Sequence, residues 1–566
     1  MASTPSNVEQ LFADMGVEAM HLKGARLSAS SVVVVASSIW FFCLFYCVEL
    51  TPNAFVFGDE AGYFLPLIFG ASATNYQRWG SSIAEYPSYL YFWLYSFLRG
   101  NDLHFAVKAL NAGFIASTAI PAFIVARRYL PQIPAAAFAC FVMLTPISSF
   151  ARYVMPESMY LFGFWCSLAL VFLTIDRSQF LAAILAGFAL GLLSLIKPHA
   201  IAIALATSCF FILRSLSWRG VLASVVAFLA FYATHAGVGF LLTGTPLWSV
   251  SGGSYGGILT SRIDWSAAAY NAFGHSLALV AMFGPLLLLP INVWWREQKG
   301  DRNVELGILV ICLVAMMVAM TVYFSQGVYI TAPEAERISR LHGRYYLYCL
   351  PLFILFGASV FNEMPVKLPP KFSVAMLMLA SPACALLIYM FYEVGPFDYP
   401  DLTLLGGRSL KFVSVGLILF QLCVATACLF KASSRQMIGL SLSLFVTVEM
   451  TTTFGLVAIA PFGPMKPKPV DAAFLGTADE QINKLIGRSD GVVIGGTSTG
   501  GDLPRAMFYL RSLSRGQFAP AGDQVVDAQL PSDINWAILL PGIRYLGNQP
   551  TFGDRGLTII LRGNLR

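Results

Sequence analysis

The sequence predicts an all-α polytopic membrane protein with about thirteen transmembrane helices and a small C-terminal α/β domain. Of its 566 residues, 57% are hydrophobic and only 12% are charged. The mean hydropathy is +0.68. A soluble domain carries about 25% charged residues, because its surface needs polar cover. Composition therefore excludes a soluble globular protein. The net charge is +6, but for a membrane protein the positions of the cations are more informative than their total.

Long apolar runs recur along the chain, each of roughly 17–23 residues, which is enough to cross about 30 Å of hydrocarbon as a helix. Lys197-Pro198 interrupts one long apolar stretch, and we interpret it as a tight turn between two helices. The predicted spans are residues 30–49, 106–126, 133–149, 157–175, 179–195, 199–213, 220–242, 272–292, 305–324, 343–361, 372–393, 410–430 and 437–460.

The short connections between these spans alternate in charge, which predicts their orientation. By the positive-inside rule, the cation-rich set is cytoplasmic. That set contains Lys23, Arg26, Arg127, Arg128, Arg177, Arg214, Arg219, Arg296, Lys299, Arg302, Lys367, Lys371, Lys431 and Arg435. The outer side receives the long connections 50–105, 243–271, 325–342 and 394–409, and the C-terminal tail. All ten cysteines fall in apolar runs and no signal-peptide pattern is found, which fits a bacterial inner membrane protein with its site facing outside, with the endoplasmic reticulum as the alternative location.

Three segments follow from these patterns. Residues 1–29 form a cytoplasmic segment, 30–460 the transmembrane domain and 461–566 an outer domain. The tail has β-rich runs at Gly491–Gly495, Trp536–Leu540 and Leu557–Leu561, and a helical stretch at Leu503–Leu513. A tail of about 100 residues suffices for a small α/β domain.

The outer connections carry the acidic candidates. Asp59 and Glu60 lie among aromatics and glycines in the first outer loop, where an Asp can act as a general base or metal ligand. The alternative is that Asp59 caps a short helix. Glu157 lies at the outer mouth of another helix, where capping is also an alternative. The aromatic run 85–94 predicts a helix lying in the membrane interface.

Cations also occur on the outer side, against the general bias. Since such charges are costly unless paired, a lipid phosphate or diphosphate is a natural partner for them. The alternative is pairing with Glu334, Glu336 or Glu157, or with ordinary lipid headgroups. The predicted phosphate-binding group is Lys197, Arg337, Arg340, His342, Arg344 and Tyr345.

In order and placement, these motifs resemble the GT-C superfamily of integral membrane glycosyltransferases. The arrangement is similar to that of the protein O-mannosyltransferase and aminoarabinose-transferase group. The resemblance rests on Asp59-Glu60, the aromatic run beginning Tyr86-Pro87, Glu157, Lys197-Pro198 and Gly343-Arg344-Tyr345-Tyr346. Tyr86-Pro87 departs from the Pro-Pro of some relatives, so no subfamily is named.

The resemblance implies transfer of a sugar from a polyprenyl-phosphate carrier to a lipid, glycan or protein acceptor at the outer face, normally with inversion. Asp59 is then the base, with Glu60 beside it as a catalytic residue. Glu157, Tyr63 and Tyr86 position the acceptor or sugar. A divalent metal held by such acids is left open, no other cofactor is implied, and nucleic acid is not an expected partner.

Two other functions compete with this hypothesis. A transporter or flippase of a lipid-linked substrate would need polar groups near helix midpoints, and the spans carry very few charges there. An O-antigen polymerase or ligase would use outer arginines on a diphosphate-linked donor, without needing an acidic pair after the first helix.

Overall fold

The computed structural model describes most of the transmembrane domain and the strands of the tail. The described residues are 28–50, 63, 87–98, 103–243, 262–290, 302–331, 337–362, 370–395, 398–402, 411–459, 491–495, 515–518, 524–527, 530, 536–539, 544–549, 551–554 and 557–561.

Helices dominate these ranges. The α-helices are α1 (Ala29–Glu49), α2 (Tyr89–Tyr95), α3 (Leu103–Ser117), α4 (Ala119–Arg127), α5 (Gln132–Met143), α6 (Glu157–Thr174), α7 (Gln179–Ser194), α8 (Ala200–Ser215), α9 (Trp218–Thr243), α10 (Trp265–Phe283), α11 (Arg302–Thr331), α12 (Pro351–Asn362), α13 (Lys371–Phe391), α14 (Lys411–Lys431) and α15 (Ser434–Phe454). Short 3₁₀-helices cover Pro146–Arg152, Gly284–Leu287, Gly343–Tyr345, Leu347–Cys349 and Pro400–Leu402, and a π-helix covers Gly455–Ile459.

The number of membrane spans differs from the sequence prediction. Within the described residues, eight helices are long and apolar enough to cross a membrane, or up to nine if α5 and Pro146–Arg152 form one bent span. Every predicted span has a helix at its position, but α7, α8 and residues 347–362 are shorter apolar helices. A mostly helical integral membrane protein is therefore confirmed, whereas the count of thirteen is not.

Local capping explains several helix boundaries. The Ser178 hydroxyl accepts a hydrogen bond from the Leu181 amide at the start of α7, and the Asp264 carboxylate accepts from two amides at the start of α10. Ser433 and Gln436 form a capping box at the start of α15. As predicted, Lys197-Pro198 lies in the turn between α7 and α8.

Small residues hold α7 closely against α9. A Cβ added at Gly187 would collide with the Ala227 carbonyl oxygen, and one at Gly191 would lie 2.6 Å from Cβ of Thr234. Glycines allow such close backbone approach in membrane helix pairs. This packing fixes the end of α7 from which the Lys197 turn projects.

Charged residues cluster at one end of the bundle. Arg128 binds Asp176 and Glu305, and Arg214 lies 2.8 Å from the same Glu305. Helix α6 begins at Glu157 and ends just before Asp176, and α8 begins just after Lys197 and has Arg214 in its last turn, so Glu157 and Lys197 lie at the end opposite this cluster. This separation agrees with the predicted alternation of charge, and the orientation in the membrane stays a prediction.

The tail contains a five-stranded mixed sheet. The strands are β1 (Gly491–Gly495), β2 (Arg515–Phe518), β3 (Gln524–Val525), β4 (Trp536–Leu539), β5 (Arg544–Tyr545), β6 (Thr551–Asp554) and β7 (Leu557–Leu561). The sheet order is β2-β1-β4-β7-β6, parallel across the first three strands and antiparallel thereafter. All three predicted β-rich runs are strands, whereas the predicted helix 503–513 lies outside the described residues, so an α/β domain is not confirmed.

Candidate active site

The predicted site is only partly covered by the structure. Asp59, Glu60 and Tyr86 lie outside the described residues. Tyr63 and Glu157 are described, as are all six residues of the predicted phosphate-binding group.

Glu157 and Lys197 form a buried ion pair. Glu157 begins α6 directly after Pro156, and Lys197 projects from the turn between α7 and α8. Nζ of Lys197 lies 2.6 Å from Oε1 of Glu157, and the two side chains are only 4% and 1% exposed. Among the described residues, Oε2 of Glu157 has no hydrogen-bond partner. Glu157 thus neutralises the cation through one oxygen and presents a second one.

The ring of Tyr345 contacts two of the predicted cations, Lys197 and Arg344. Nζ of Lys197 lies 5.6 Å from the ring centroid, and the Arg344 guanidinium carbon lies 5.2 Å from it. These distances fall within the range of cation–π attraction. The His199 imidazole stacks on the same ring at 4.3 Å between centroids.

The predicted span 343–361 implied that the Gly-Arg-Tyr-Tyr segment begins a transmembrane α-helix. The structure shows that it does not. It forms 3₁₀ turns, and α12 starts only at Pro351. A Cβ at Gly343 would collide with the ring of Tyr399, so only glycine lets the two segments approach this closely. The irregular backbone turns Arg344 and Tyr345 into the bundle, where both are buried.

Asp398 joins three of the predicted cations. Its carboxylate lies 2.8 Å from the Arg340 guanidinium and 3.5 Å from Nδ1 of His342, and its carbonyl accepts a hydrogen bond from the Arg344 amide. Burial opposes ionisation, but the hydrogen bond and charge of His342, with the charges of Arg344 and Arg340, hold the pKa of Asp398 at about 2. Asp398 is therefore a carboxylate at neutral pH.

Arg337 lies outside this buried cluster. Its side chain is 76% exposed and lies 2.8 Å from the Glu393 carboxylate. The backbone of Ser339 and Leu341 bonds to that of Glu393, so the segment 337–342 is fixed against the end of α13. Of the predicted phosphate-binding group, the structure brings together Lys197, Arg340, His342, Arg344 and Tyr345.

The aromatic helix α2 differs from its prediction as an interfacial helix. Tyr91, Phe92 and Tyr95 are buried at 0–1% exposure, and Tyr63 packs against Tyr91 with 6.1 Å between ring centroids. Trp93 is the aromatic side chain of this helix that is exposed. The helix is thus a core element that receives Tyr63 from the first outer loop.

The segment before α2 is bonded directly to the Lys197 turn. The Ser88 hydroxyl donates a 2.7 Å hydrogen bond to the carbonyl of Ile196, and the Leu90 amide donates one of 2.9 Å to the carbonyl of Leu195. The end of the first outer loop therefore lies against the residues that hold Lys197.

Sequence reasoning did not single out several polar groups at this end of the bundle. Tyr160 and Tyr348 pack together at 4.6 Å between centroids, and neither hydroxyl has a hydrogen-bond partner among the described residues. The missed acids are Asp398, Asp401 and Glu449. Glu449 carried a usable signal, since it is a carboxylate inside a predicted span.

The described residues contain no group of three or more His, Cys, Asp and Glu side chains that could hold a metal ion. Asp59 and Glu60, the acids that the resemblance links to a metal, fall outside that set. The described cluster combines carboxylates, neutral aromatics and fixed cations.

No family model matches the sequence, and the search of curated proteins found no match. Among solved structures, the chain is similar to ArnT from Cupriavidus metallidurans in the apo state, at 15% identity and a TM-score of 0.44, over 94% of this chain and 98% of that one. It is also similar to the oligosaccharyltransferase AglB from Archaeoglobus fulgidus in complex with an inhibitory peptide and a dolichol-phosphate, at 13% identity and a TM-score of 0.41, over 90% and 69%. Another structure of the Archaeoglobus fulgidus oligosaccharyltransferase, tethered with an acceptor peptide, gives 13% identity and a TM-score of 0.39, over 90% and 68%.

Proposed function

We propose that the protein is a membrane glycosyltransferase that moves a sugar from a polyprenyl-phosphate donor to an acceptor hydroxyl at the outer face. The observation that carries the proposal is the cluster of cations and carboxylates around Tyr345 and Asp398. In the described part of this cluster, Lys197, Arg340 and Arg344 supply three permanent cations, and Glu157 and Asp398 supply two carboxylates. One excess positive charge at a helix mouth favours an anionic ligand.

A lipid phosphate fits this excess charge. Arg offers a planar fork to phosphate oxygens, and Lys acts as a compact point charge. Because the cations are held by Tyr345, Glu157 and Asp398, they need little reorganisation when charge develops on the leaving phosphate.

In the proposed reaction, Asp59 accepts the proton of the acceptor hydroxyl as its oxygen attacks the anomeric carbon. The bond from that carbon to the phosphate oxygen breaks, and the electron pair remains on the phosphate beside Lys197 and Arg344. A single in-line displacement inverts the anomeric configuration. Glu60 and Tyr86 complete the loop side of the site, with Tyr63 anchoring that loop on α2.

Glu157 is proposed to orient a hydroxyl of the sugar or acceptor. Its Oε1 is engaged by Lys197, while its buried Oε2 has no donor among the described residues. A substrate hydroxyl would supply that donor and remove the cost of a buried acceptor without a partner. Tyr160 and Tyr348 provide neighbouring hydroxyls for the same purpose.

The test is a mass-spectrometric comparison of envelope glycans. Cells that lack the protein are restored with the native chain or with Asp59→Asn at equal membrane abundance. We expect one sugar mass to disappear in the null strain and to return only with the native chain. Full restoration by Asp59→Asn would remove Asp59 as the base. An unchanged glycan profile in the null strain would favour a different function, such as transport of a lipid-linked substrate.

Donor type separates the proposal from a polymerase or ligase. Purified protein is incubated with a monophosphate-linked single sugar or with a diphosphate-linked oligomer. Transfer from the first alone supports the proposal, and transfer from the second alone overturns it.

A further inference from the structure

A second polar region lies among helices α10, α13, α14 and α15, and it contains none of the residues of the proposed sugar-transfer site. A cavity of about 40 Å³ is bounded by α10, α13, α14, α15 and the turn that contains Asp401. Asp401, Glu449 and Gln421 line it and are 3%, 1% and 6% exposed. No Lys, Arg or His occurs among the described residues that line this cavity. Two carboxyl groups are thus buried here with no cationic side chain against the cavity.

Four oxygen atoms on these three residues have no hydrogen-bond partner among the described residues. They are Oδ2 of Asp401, Oε1 of Gln421, and Oε1 and Oε2 of Glu449. Buried acceptors without donors are costly, and the cost is larger for carboxylates. The convergence of these oxygens on one cavity calls for a positively charged occupant.

The two carboxyl groups line the same small cavity. Like charges this close cannot both stay ionised in a buried site unless a cation or a proton lies between them. A shared proton would satisfy at most two of the four oxygens. A divalent cation in the cavity would be attracted by both carboxylates, and hard cations such as Ca²⁺ and Mg²⁺ prefer carboxylate and amide oxygens.

We propose that Asp401, Glu449 and Gln421 bind one divalent, oxygen-preferring metal cation in this cavity. Its two positive charges match the two carboxylates, and the cavity has room for a water to complete the coordination. Ser381 and Ser441 also line the cavity and donate their hydroxyl protons to the carbonyls of Ala281 and Met437, which leaves their oxygens as acceptors.

A cation bound in this cavity would stabilise the segment that positions the cations of the candidate active site. Asp401 shares the short segment 398–402 with Asp398, which holds Arg340 and His342. Between them, the Tyr399 hydroxyl accepts a 2.9 Å hydrogen bond from Tyr346 and donates to the sulfur of Met282, a cavity-lining residue. Occupancy therefore fixes the segment that positions the cations. The inference stands whether or not the proposed transfer is correct.

The experiment uses the purified full-length chain in detergent, stripped with a chelator. Bound metal is counted by elemental analysis after re-addition of Ca²⁺ or Mg²⁺, and thermal unfolding is followed with each ion. We expect about one divalent ion per chain and a Tm that rises by several degrees. Glu449→Gln and Asp401→Asn should each weaken binding at least tenfold, whereas Glu393→Gln, which changes a carboxyl paired with Arg337, should bind normally.

The Gln421→Glu variant distinguishes a bound metal ion from a proton shared by Asp401 and Glu449. A third carboxylate should tighten binding of a divalent ion and raise the Tm in its presence. If the pair holds only a proton, no metal is recovered, the chelator leaves the Tm unchanged, and Gln421→Glu lowers the Tm with every ion. That set of results would overturn the proposal, and normal size-exclusion behaviour of each variant shows that folding is retained.

Discussion

Lys197 and Glu157 are joined by a 2.6 Å ion pair that is almost fully buried at the mouth of the helix bundle. Breaking a buried pair by removing one partner leaves an uncompensated charge, which costs about 3–5 kcal/mol. Replacing both partners by neutral groups of similar shape removes that cost. The pair therefore allows stability and function to be separated by mutation.

We expect Lys197→Met and Glu157→Gln each to lower the Tm, and the double variant to recover most of the loss. Transfer should stay abolished in the double variant, because the phosphate loses its cation. Thermal unfolding and donor turnover are measured on the same preparations. Recovery of turnover in the double variant would show that Lys197 serves only the fold.

Ser88 bonds the first outer loop to the Lys197 turn, through a 2.7 Å hydrogen bond to the Ile196 carbonyl. Ser88→Ala should cost about 1 kcal/mol, because a buried carbonyl loses its donor. If this bond positions the loop that carries Asp59, kcat should fall several-fold with little change in donor KM.

The matched control is Ser96→Ala, at the other end of α2. The Ser96 hydroxyl donates to the Trp93 carbonyl within the same exposed turn. We expect no measurable change in kcat for this variant. Equal effects of the two substitutions would mean that the Ser88 bond has no special role in positioning the loop.

We expect the ring of Tyr345 to contribute to donor binding through its contacts with Lys197 and Arg344. Tyr345→Phe keeps the aromatic face beneath Lys197 and Arg344, and should retain most donor affinity. Tyr345→Leu removes that face, and cation–π contacts are worth about 0.5–2 kcal/mol each. The leucine variant should therefore bind the lipid phosphate roughly tenfold more weakly, as measured by titration with the lipid carrier alone. Equal affinities for the two variants would exclude a cation–π role.

The charge of Asp398 should make stability depend on pH only in strongly acidic solution. Its pKa is about 2 in the folded chain, against about 3.9 for an unperturbed Asp. A lowered folded pKa contributes stability that is complete above the unfolded value and is lost as pH falls toward 2. Asp398→Asn should thus cost roughly 2 kcal/mol at pH 7, and the gap from the native chain should narrow below pH 4. Unfolding measured at pH 3, 4, 5 and 7 tests this, and a gap that is constant with pH would contradict it.

The sequence predicted helix positions well because an apolar run long enough to span a bilayer has few other stable forms. It also predicted three strands of the tail and the turn at Lys197-Pro198. It could not predict that 343–349 forms 3₁₀ turns, because that choice depends on Tyr399 packing against Gly343 from a distant segment. Asp398 was missed for the same reason, since its partners Arg340 and His342 meet it only in the folded chain.

Gly343 lies directly against the Tyr399 ring, so we expect Gly343→Ala to disturb the packing of the site. The added methyl group would collide with the Tyr399 ring, which is buried and hydrogen-bonded to Tyr346. Overpacking of this kind typically costs about 1–3 kcal/mol and shifts the backbone. We expect a lower Tm and weaker donor binding, because Arg344 and Tyr345 follow directly in the chain.

Gly237→Ala is the matched control, since nothing lies within 4 Å of a Cβ added there and alanine suits the helix interior better than glycine. That variant should be as stable as the native chain or slightly more so, and a loss of donor binding in both variants would place the cause outside the contact between Gly343 and Tyr399.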